Sequence, residues 1–303
     1  MVQSNAISNA FQEALGIPTW IVGVVLAVVA AFIFLGGVTR IAAVTEKLVP
    51  VMACFYLVGG LVMLIANITN LPHAFALIFE GAFNPQAILG GAVGIGVREA
   101  MRYGVARGLF SNEAGMGSTP HAHAMAKVEK PQDQGVVAMV CVFIDTFVVL
   151  TITALVMITS GALNVGDMAA NPAAENMAQV AFSTVFGSFG NFYVAICLLF
   201  FAFSTIMGWY FFGEQNVRFL FRSRGVLAYR VIVCAFIVTG AMLKVDFVWS
   251  LADLFNGLMV LPNLVALVAL HKVVGESLED FEKKLDHYEE RKSENIDDRM
   301  QRL

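Results

Sequence analysis

The chain has 303 residues; 58% are hydrophobic, only 14% are charged, and the formal net charge is −4. Mean hydropathy is +0.74, whereas soluble domains carry about 25% charged residues. That excludes a chain able to stay in water, and most of the charge lies in loops and tail, so its sign says little about partners.

Met1–Gly16 (MVQSNAISNAFQEALG) reads as the end of a helix. It has no basic stretch, apolar core and small-residue cleavage site of the signal-peptide kind. A chain that opens mid-helix is expected to lack upstream sequence. The expected division is 1–17 as the end of an upstream helix of an N-terminally truncated chain, 18–275 as the membrane region, and 276–303 as a charged tail helix.

Thr19–Val38 is twenty residues without a charge, and a helix needs about 20 apolar residues to cross a bilayer. Further apolar runs cover Leu48–Ile68, Gly135–Leu163, Phe192–Gly213, Val226–Leu243 and Phe247–Leu270. The weakest candidate is Pro85–Arg107, whose apolar stretch gives way to Arg98, Glu99 and Arg102. Charge decides its status, because cytoplasmic loops collect Lys and Arg. If all seven segments cross, Arg40 and Lys47, then Arg107, Lys127 and Lys130, then Arg218, Arg222 and Arg224, and finally the tail cations all fall on one side. Lys244 alone lies opposite. Removing the weak span would invert everything after it. The expectation is an all-α integral membrane protein of about seven spans, with a cytoplasmic C-terminus.

Asn70–Asn84 has apolar residues at roughly helical spacing and is expected to lie flat as an external hairpin or lid. Ala162–Gly190, polar and carrying Pro172, reads as a surface loop with a short helix. Cys54, Cys141, Cys197 and Cys234 sit inside apolar spans without CxxC spacing, which favours buried free thiols. His121 and His123 are two apart, on different sides of a helix, which disfavours a metal pair. Gly90 and Gly94 form a GxxxG, explained by close helix packing. In the tail, Leu278, Phe281, Leu285 and Tyr288 make the apolar face of a short amphipathic helix.

Arg107–Met125 (RGLFSNEAGMGSTPHAHAM) is the segment with the most chemistry. Gly115 and Gly117 disfavour regular helix, and Ser111, Asn112, Glu113 and Ser118 bring oxygens. Irregular backbone at membrane depth is tolerated only where it is buried in protein or lines a cavity, and transporters bind ions and substrates on such broken helices. A cytoplasmic loop with a Gly-rich turn fits these residues equally well. The glycines do not form a phosphate-binding GxxxxGK[ST] loop. Asp145, a single carboxylate inside Gly135–Leu163 with Thr146 beside it, suits ion coupling or helix packing. Thr205 and Trp209 share one helix face with Ser204 beside them; they suit either the wall of a small pocket or ordinary packing. Asp253 and Asn256, three apart, are expected to hydrogen-bond within the bundle.

GLFSNEAGMGSTPHAHA resembles the signature of the alanine or glycine:cation symporter family. The resemblance extends through MVQSNAIS, VTEKLVPVMACFYLVGG, FIDTFVV, FAFSTIMGWYFFGE and DLFNGLMVLPNLVAL, to about Gly275. It covers roughly the last two-thirds of a family member. The family's GTGN-like broken helix and GGPGA…FWMW signature are not in this chain. The resemblance implies part of an inverted-repeat (LeuT-like) bundle in the bacterial inner membrane, with no catalytic residues and no cofactor. It further implies symport of alanine or glycine with sodium, although side-chain oxygens alone do not distinguish sodium from a proton. Small neutral amino acids and membrane lipid are the expected partners, and nucleic acid is not. The implied substrate contacts are Gln3, Thr205 and Trp209; the implied ion ligands are Ser111, Asn112, Glu113, Ser118 and Asp145. Two rivals stay open: a truncated remnant that inserts but does not transport, and an intramembrane enzyme, for which Asp145 lacks a partner nearby in sequence.

Overall fold

Runs of Val, Leu, Ile, Ala and Phe with almost no interior polar group leave the backbone to satisfy itself, and in lipid the helix does that within one segment. The computed structural model describes residues 1–83, 93–163 and 176–301, and among these every regular element is helical. In order they are α1 (Val2–Leu15), α2 (Thr19–Leu35), α3 (Gly37–Ala66), a 3₁₀ turn (Ile68–Asn70), α4 (Leu71–Phe83) and α5 (Val93–Ser111). Then come the short α6 (Pro120–His123), α7 (Pro131–Phe143), a π-helical turn (Ile144–Val149) and α8 (Leu150–Thr159). The order ends with α9 (Met177–Phe186), α10 (Ser188–Phe221), α11 (Arg224–Met242) and α12 (Val245–Gln301).

Five helices among the described residues are long and apolar enough to cross a membrane: Gly37–Ala66, Pro131–Thr159, Ser188–Phe221, Arg224–Met242 and Val245–Asp286. At 1.5 Å per residue, the 17 residues of α2 reach about 25 Å, short of the roughly 30 Å hydrocarbon core. The expected Pro85–Arg107 span begins outside the described residues, as do Gly90 and Pro172; its second half is the helix α5, too polar to qualify by composition.

α10 is the central post. On one side Ile7 of α1, Leu26, Ala30 and Phe34 of α2, Met207 and Tyr210 of α10 and Ile237 of α11 form one core. Phe34 stacks on Tyr210 with ring centroids 3.6 Å apart. Further along, Met63 of α3, Val156 of α8, Ala181 and Phe182 of α9 and Tyr193 of α10 form a second core. The Tyr193 hydroxyl donates to the Phe55 carbonyl of α3, and the hydroxyls of Tyr56 and Thr153 meet at 2.5 Å. Polar side chains tie helix ends together. Asn5 Nδ2 donates to the carbonyls of Gly240 and Leu243 at 2.9 and 2.7 Å, and Ser8 Oγ donates to Ala241 O at 3.0 Å. These bonds satisfy carbonyls that the end of α11 leaves without intrahelical partners.

Three expectations change. Cys54 and Cys141 are exposed, Cys234 is half-buried, and only Cys197 is buried. All four are free thiols, and the first two lie on outward helix faces, where an apolar thiol meets lipid without penalty. Within Ala162–Gly190 the expected short helix is α9, but it is more than a surface helix, because its Gln179, Ala181 and Phe182 are buried and it packs against α10; residues 164–175 lie outside the described residues. The tail is no separate short helix: α12 runs unbroken through residue 275, past Pro262. Its far part is held to the start of α7, where Asp280 accepts from Lys130 and Gln132 and Lys284 pairs with Asp133.

The α9–α10 junction is tight. A Cβ on Gly190 would lie 2.5 Å from Ser183 N and 2.6 Å from Phe182 C, both rigid backbone. Gly190→Ala is therefore expected to destabilise the chain by about 1–3 kcal/mol. Thermal melting in detergent checks this against Gly208→Ala, where the added methyl meets nothing within 4 Å.

Candidate functional site

α5 stops at Ser111 because the next residues cannot continue it. Glu113 has φ 50°, and Gly115 and Gly117 both have φ 75°. This left-handed region is open to glycine and strained for other residues. The helix end is closed by its own side chain, Asn112 Nδ2 donating to Gly108 O at 3.1 Å. Beyond it the loop braces itself: Ser118 Oγ and Thr119 Oγ1 both donate to Glu113 Oε2, at 2.6 and 2.9 Å. Met116 and Ser118 are buried and anchor the stretch in the protein, while Ser111, Ala114 and Gly115 are exposed.

Three helices hold this loop. From the π-helical turn, Asp145 Oδ2 accepts from Ser111 Oγ at 3.0 Å and Thr146 Oγ1 donates to Asn112 Oδ1 at 3.1 Å. A π turn inserts a residue into the ladder, and such turns recur at functional sites. Here it aims two adjacent polar side chains at the end of α5. From α12, Asn263 Nδ2 donates to Gly115 O at 2.9 Å. The same helix grips α5 through Asp253, whose carboxylate takes both Arg107 nitrogens at 2.7 and 3.2 Å, and through Trp249, over whose ring Arg107 lies at 4.1 Å. From α10, Asn216 Nδ2 lies 3.1 Å from His121 Nε2, while His121 Nδ1 lies 2.9 Å from Ser118 O.

The five candidate ion ligands thus fall into two groups. Ser111, Asn112 and Asp145, joined by Thr146, form one cluster of hydroxyl, amide and carboxylate oxygens. Glu113 and Ser118, with Thr119, form the other. Hard cations take oxygen ligands of these kinds, and a mixed set with a single carboxylate suits a monovalent ion. Among the described residues no three His, Cys, Asp or Glu side chains gather as a metal site.

The candidate substrate residues lie elsewhere. Thr205 Oγ1 on α10 is returned to its own helix, donating to Phe201 O at 2.9 Å. Trp209 is half-buried and packs edge-on against Phe212, which in turn lies 6.1 Å from the His121 ring. That gives a continuous contact path from Trp209 to the loop. Gln3 is half-buried on α1, which packs along α10. No bond joins Gln3 to Thr205 or Trp209. Asp253 does bond within the bundle, to Arg107.

Sequence reasoning missed a further cluster. Glu214 of α10 is fully buried, and its Oε1 accepts from Arg218 Nε and Nη2 at 2.9 and 2.5 Å. Arg230 Nη2 of α11 lies 3.8 Å from the same oxygen, and Arg230 Nε donates to the Tyr210 hydroxyl at 2.9 Å. Glu214 Oε2 makes no hydrogen bond to another of the described residues. The available signal was Arg230, a cation placed just inside an apolar helix, where charges are costly.

These features define an all-helical, multi-pass integral membrane protein with an irregular, oxygen-rich loop clamped among its helices. The sodium:alanine symporter family model matches residues 1–295, and the chain belongs to that family. It is 41% identical to an uncharacterized transporter of Haemophilus influenzae over 95% of this chain and 63% of the relative. Identity is also 41% to a probable sodium/glutamine symporter, GlnT, of Bacillus subtilis, over 92% and 57%. The sodium/alanine symporter AgcS of Methanococcus maripaludis is 39% identical over 90% and 59%. The chain thus spans less than two thirds of the length of these relatives.

Proposed function

We propose that this chain is the portion of a sodium-coupled symporter that carries the ion site and one wall of the site for a small neutral amino acid, alanine or glycine. Family membership and the sodium-coupled relatives support the class. The observation that carries the assignment to these residues is the joining of Ser111 and Asn112 to Asp145 and Thr146 across the break after α5. In this reading the hydroxyl, amide and carboxylate oxygens turn from one another to a sodium ion. Thr205 and Trp209 on α10, with Gln3 on α1, face the amino acid; Glu113 and Ser118 hold the loop in shape. The helices form part of a LeuT-like inverted-repeat bundle of seven spans in the bacterial inner membrane, C-terminus inside, with 1–17, 18–275 and 276–303 as its parts. The chemistry is binding and release, with no covalent step.

Sodium occupancy biases the bundle toward the state that binds the amino acid, and the coupling is reciprocal. Asn112→Ala removes an ion ligand and the α5 end closure together. Sodium-stimulated binding of radiolabelled alanine to the purified chain is expected to fall by about tenfold, the effect of one lost hydrogen bond to a charge. Unchanged sodium dependence removes Asn112 from the site. A wild-type chain that inserts but shows no sodium-stimulated binding supports the remnant reading instead.

A further inference from the structure

The charges at the end of the bundle opposite the tail make one constellation that the central site does not use. A cavity of about 220 Å³ opens there, lined by Asn9, Gln12, Glu13, Asn176, Lys244 and the adjoining backbone of Leu243 and Val245. Glu13 and Lys244 are both exposed to it, and neither makes an ion pair among the described residues. Lys244 is also the cation that breaks the otherwise one-sided distribution of positive charge between the spans.

Two helix ends of opposite dipole meet the lining of this cavity. Lys244 directly precedes α12, whose first turn also carries Asp246, and Val248 N donates to the Lys244 carbonyl at 3.1 Å, so Lys244 stands at the start of that helix. A helix N-terminus carries partial positive charge and binds carboxylates. Glu13, which also lines the cavity, sits in the last turn of α1, which closes at Gly16 with φ 68°. A helix C-terminus carries partial negative charge, so there the dipole and the carboxylate add. The end of α11 also reaches the cavity, but Asn5 already takes the Gly240 and Leu243 carbonyls. Asn9, Gln12 and Asn176 add amide groups that both donate and accept to the lining, although Asn9 Nδ2 already donates to Asn5 Oδ1 at 3.1 Å.

We propose that this cavity is an outer binding site for a free amino acid in its zwitterionic form, with the α-carboxylate at Lys244 and the start of α12 and the α-ammonium at Glu13. It is smaller than the roughly 300 Å³ at which drug-sized pockets begin, and its lining has few apolar side chains, so it selects the zwitterion rather than a particular side chain. Its openness to solvent makes it a weak, fast-exchanging site that gathers substrate at the entrance. The inference rests on the substrate class and orientation proposed above.

Isothermal titration of L-alanine into the purified chain in nanodiscs, in sodium-free choline buffer, tests it. Sodium-free conditions separate this site from the central one, whose occupancy is sodium-stimulated. Weak alanine binding is expected, about tenfold stronger than that of propionate or ethylamine, each of which lacks one pole. Lys244→Gln and Glu13→Gln are each expected to abolish that preference, while Asn112→Ala leaves it intact. Absence of sodium-free alanine binding overturns the outer site, whatever the sodium-stimulated binding shows. Binding that survives both charge-neutralising variants overturns it equally. Loss of sodium-stimulated binding alone counts against the central site and leaves this one standing.

Discussion

Glu214→Ala is expected to destabilise the chain by about 1.5–3 kcal/mol, the cost of losing a buried charged hydrogen-bond acceptor whose partners stay partly exposed. Glu214 is fully buried while Arg218 and Arg230 keep 44% and 19% side-chain exposure. Removing the carboxylate therefore leaves Arg230, the less exposed cation, facing Tyr210 and Tyr229 with no countercharge; Arg218 can swing out into solvent. This asymmetry makes a second prediction from the same cluster. Glu214→Ala combined with Arg230→Ala recovers part of the loss, whereas Glu214→Ala combined with Arg218→Ala recovers little. Unfolding of the detergent-solubilised variants, followed by the three Trp residues, measures all of these. If Glu214→Ala melts like the wild type, the cluster does not hold α10 to α11.

The orphan oxygen of Glu214 sharpens the point. A fully buried carboxylate oxygen without a hydrogen bond forfeits its hydration for nothing. Such a group persists where the surrounding charges hold it. Here those charges come from two helices at the end where Arg218, Arg222 and Arg224 gather, so the pair fastens α10 to α11 at that end of the bundle.

The long apolar helices were legible because a bilayer imposes one rule on the residues of a span, and the long apolar runs of α3, α10 and α11 follow it, with charges such as Arg40, Glu214 and Arg230 toward the helix ends. The break after Ser111 was legible for a local reason, since glycines at 115 and 117 announce left-handed backbone. What holds that break could not be read off. Ser111 and Asp145 are 34 positions apart, and no periodicity pairs them; their meeting depends on the π turn that rotates Asp145 and Thr146 toward α5. Glu214 was hidden for a related reason. In GEQNVR it looks like loop charge, and only the packing of Tyr210, Tyr229 and Arg230 around it makes it interior. Cys54 and Cys141 misled in the opposite sense, because an apolar neighbourhood in sequence means lipid as readily as core.

Gly117→Ala is expected to uncouple the loop from α12 without unfolding the chain. Two effects act together. At φ 75° an alanine is strained by about 1–2 kcal/mol. Its Cβ would also lie 2.8 Å from Asn263 Oδ1 and 2.9 Å from Asn263 Cγ. Asn263 is free to rotate away, so the collision is relieved at the expense of its bond to Gly115 O. The loop then loses its tether while its neighbours in α5 and the π turn stay in place. Because about 1.4 kcal/mol is a factor of ten, sodium-stimulated alanine binding is expected to weaken by about tenfold or more, with melting lowered by no more than the strain itself. Gly104→Ala, on the same α5 and with nothing within 4 Å of its added methyl, is the control: a helical glycine replaced by alanine gains about 0.5–1 kcal/mol and should leave binding unchanged. Asn263→Ala separates the two causes, since it removes the tether without the backbone strain. If Asn263→Ala binds normally while Gly117→Ala does not, the left-handed turn is what the site requires, and α12 merely rests against it.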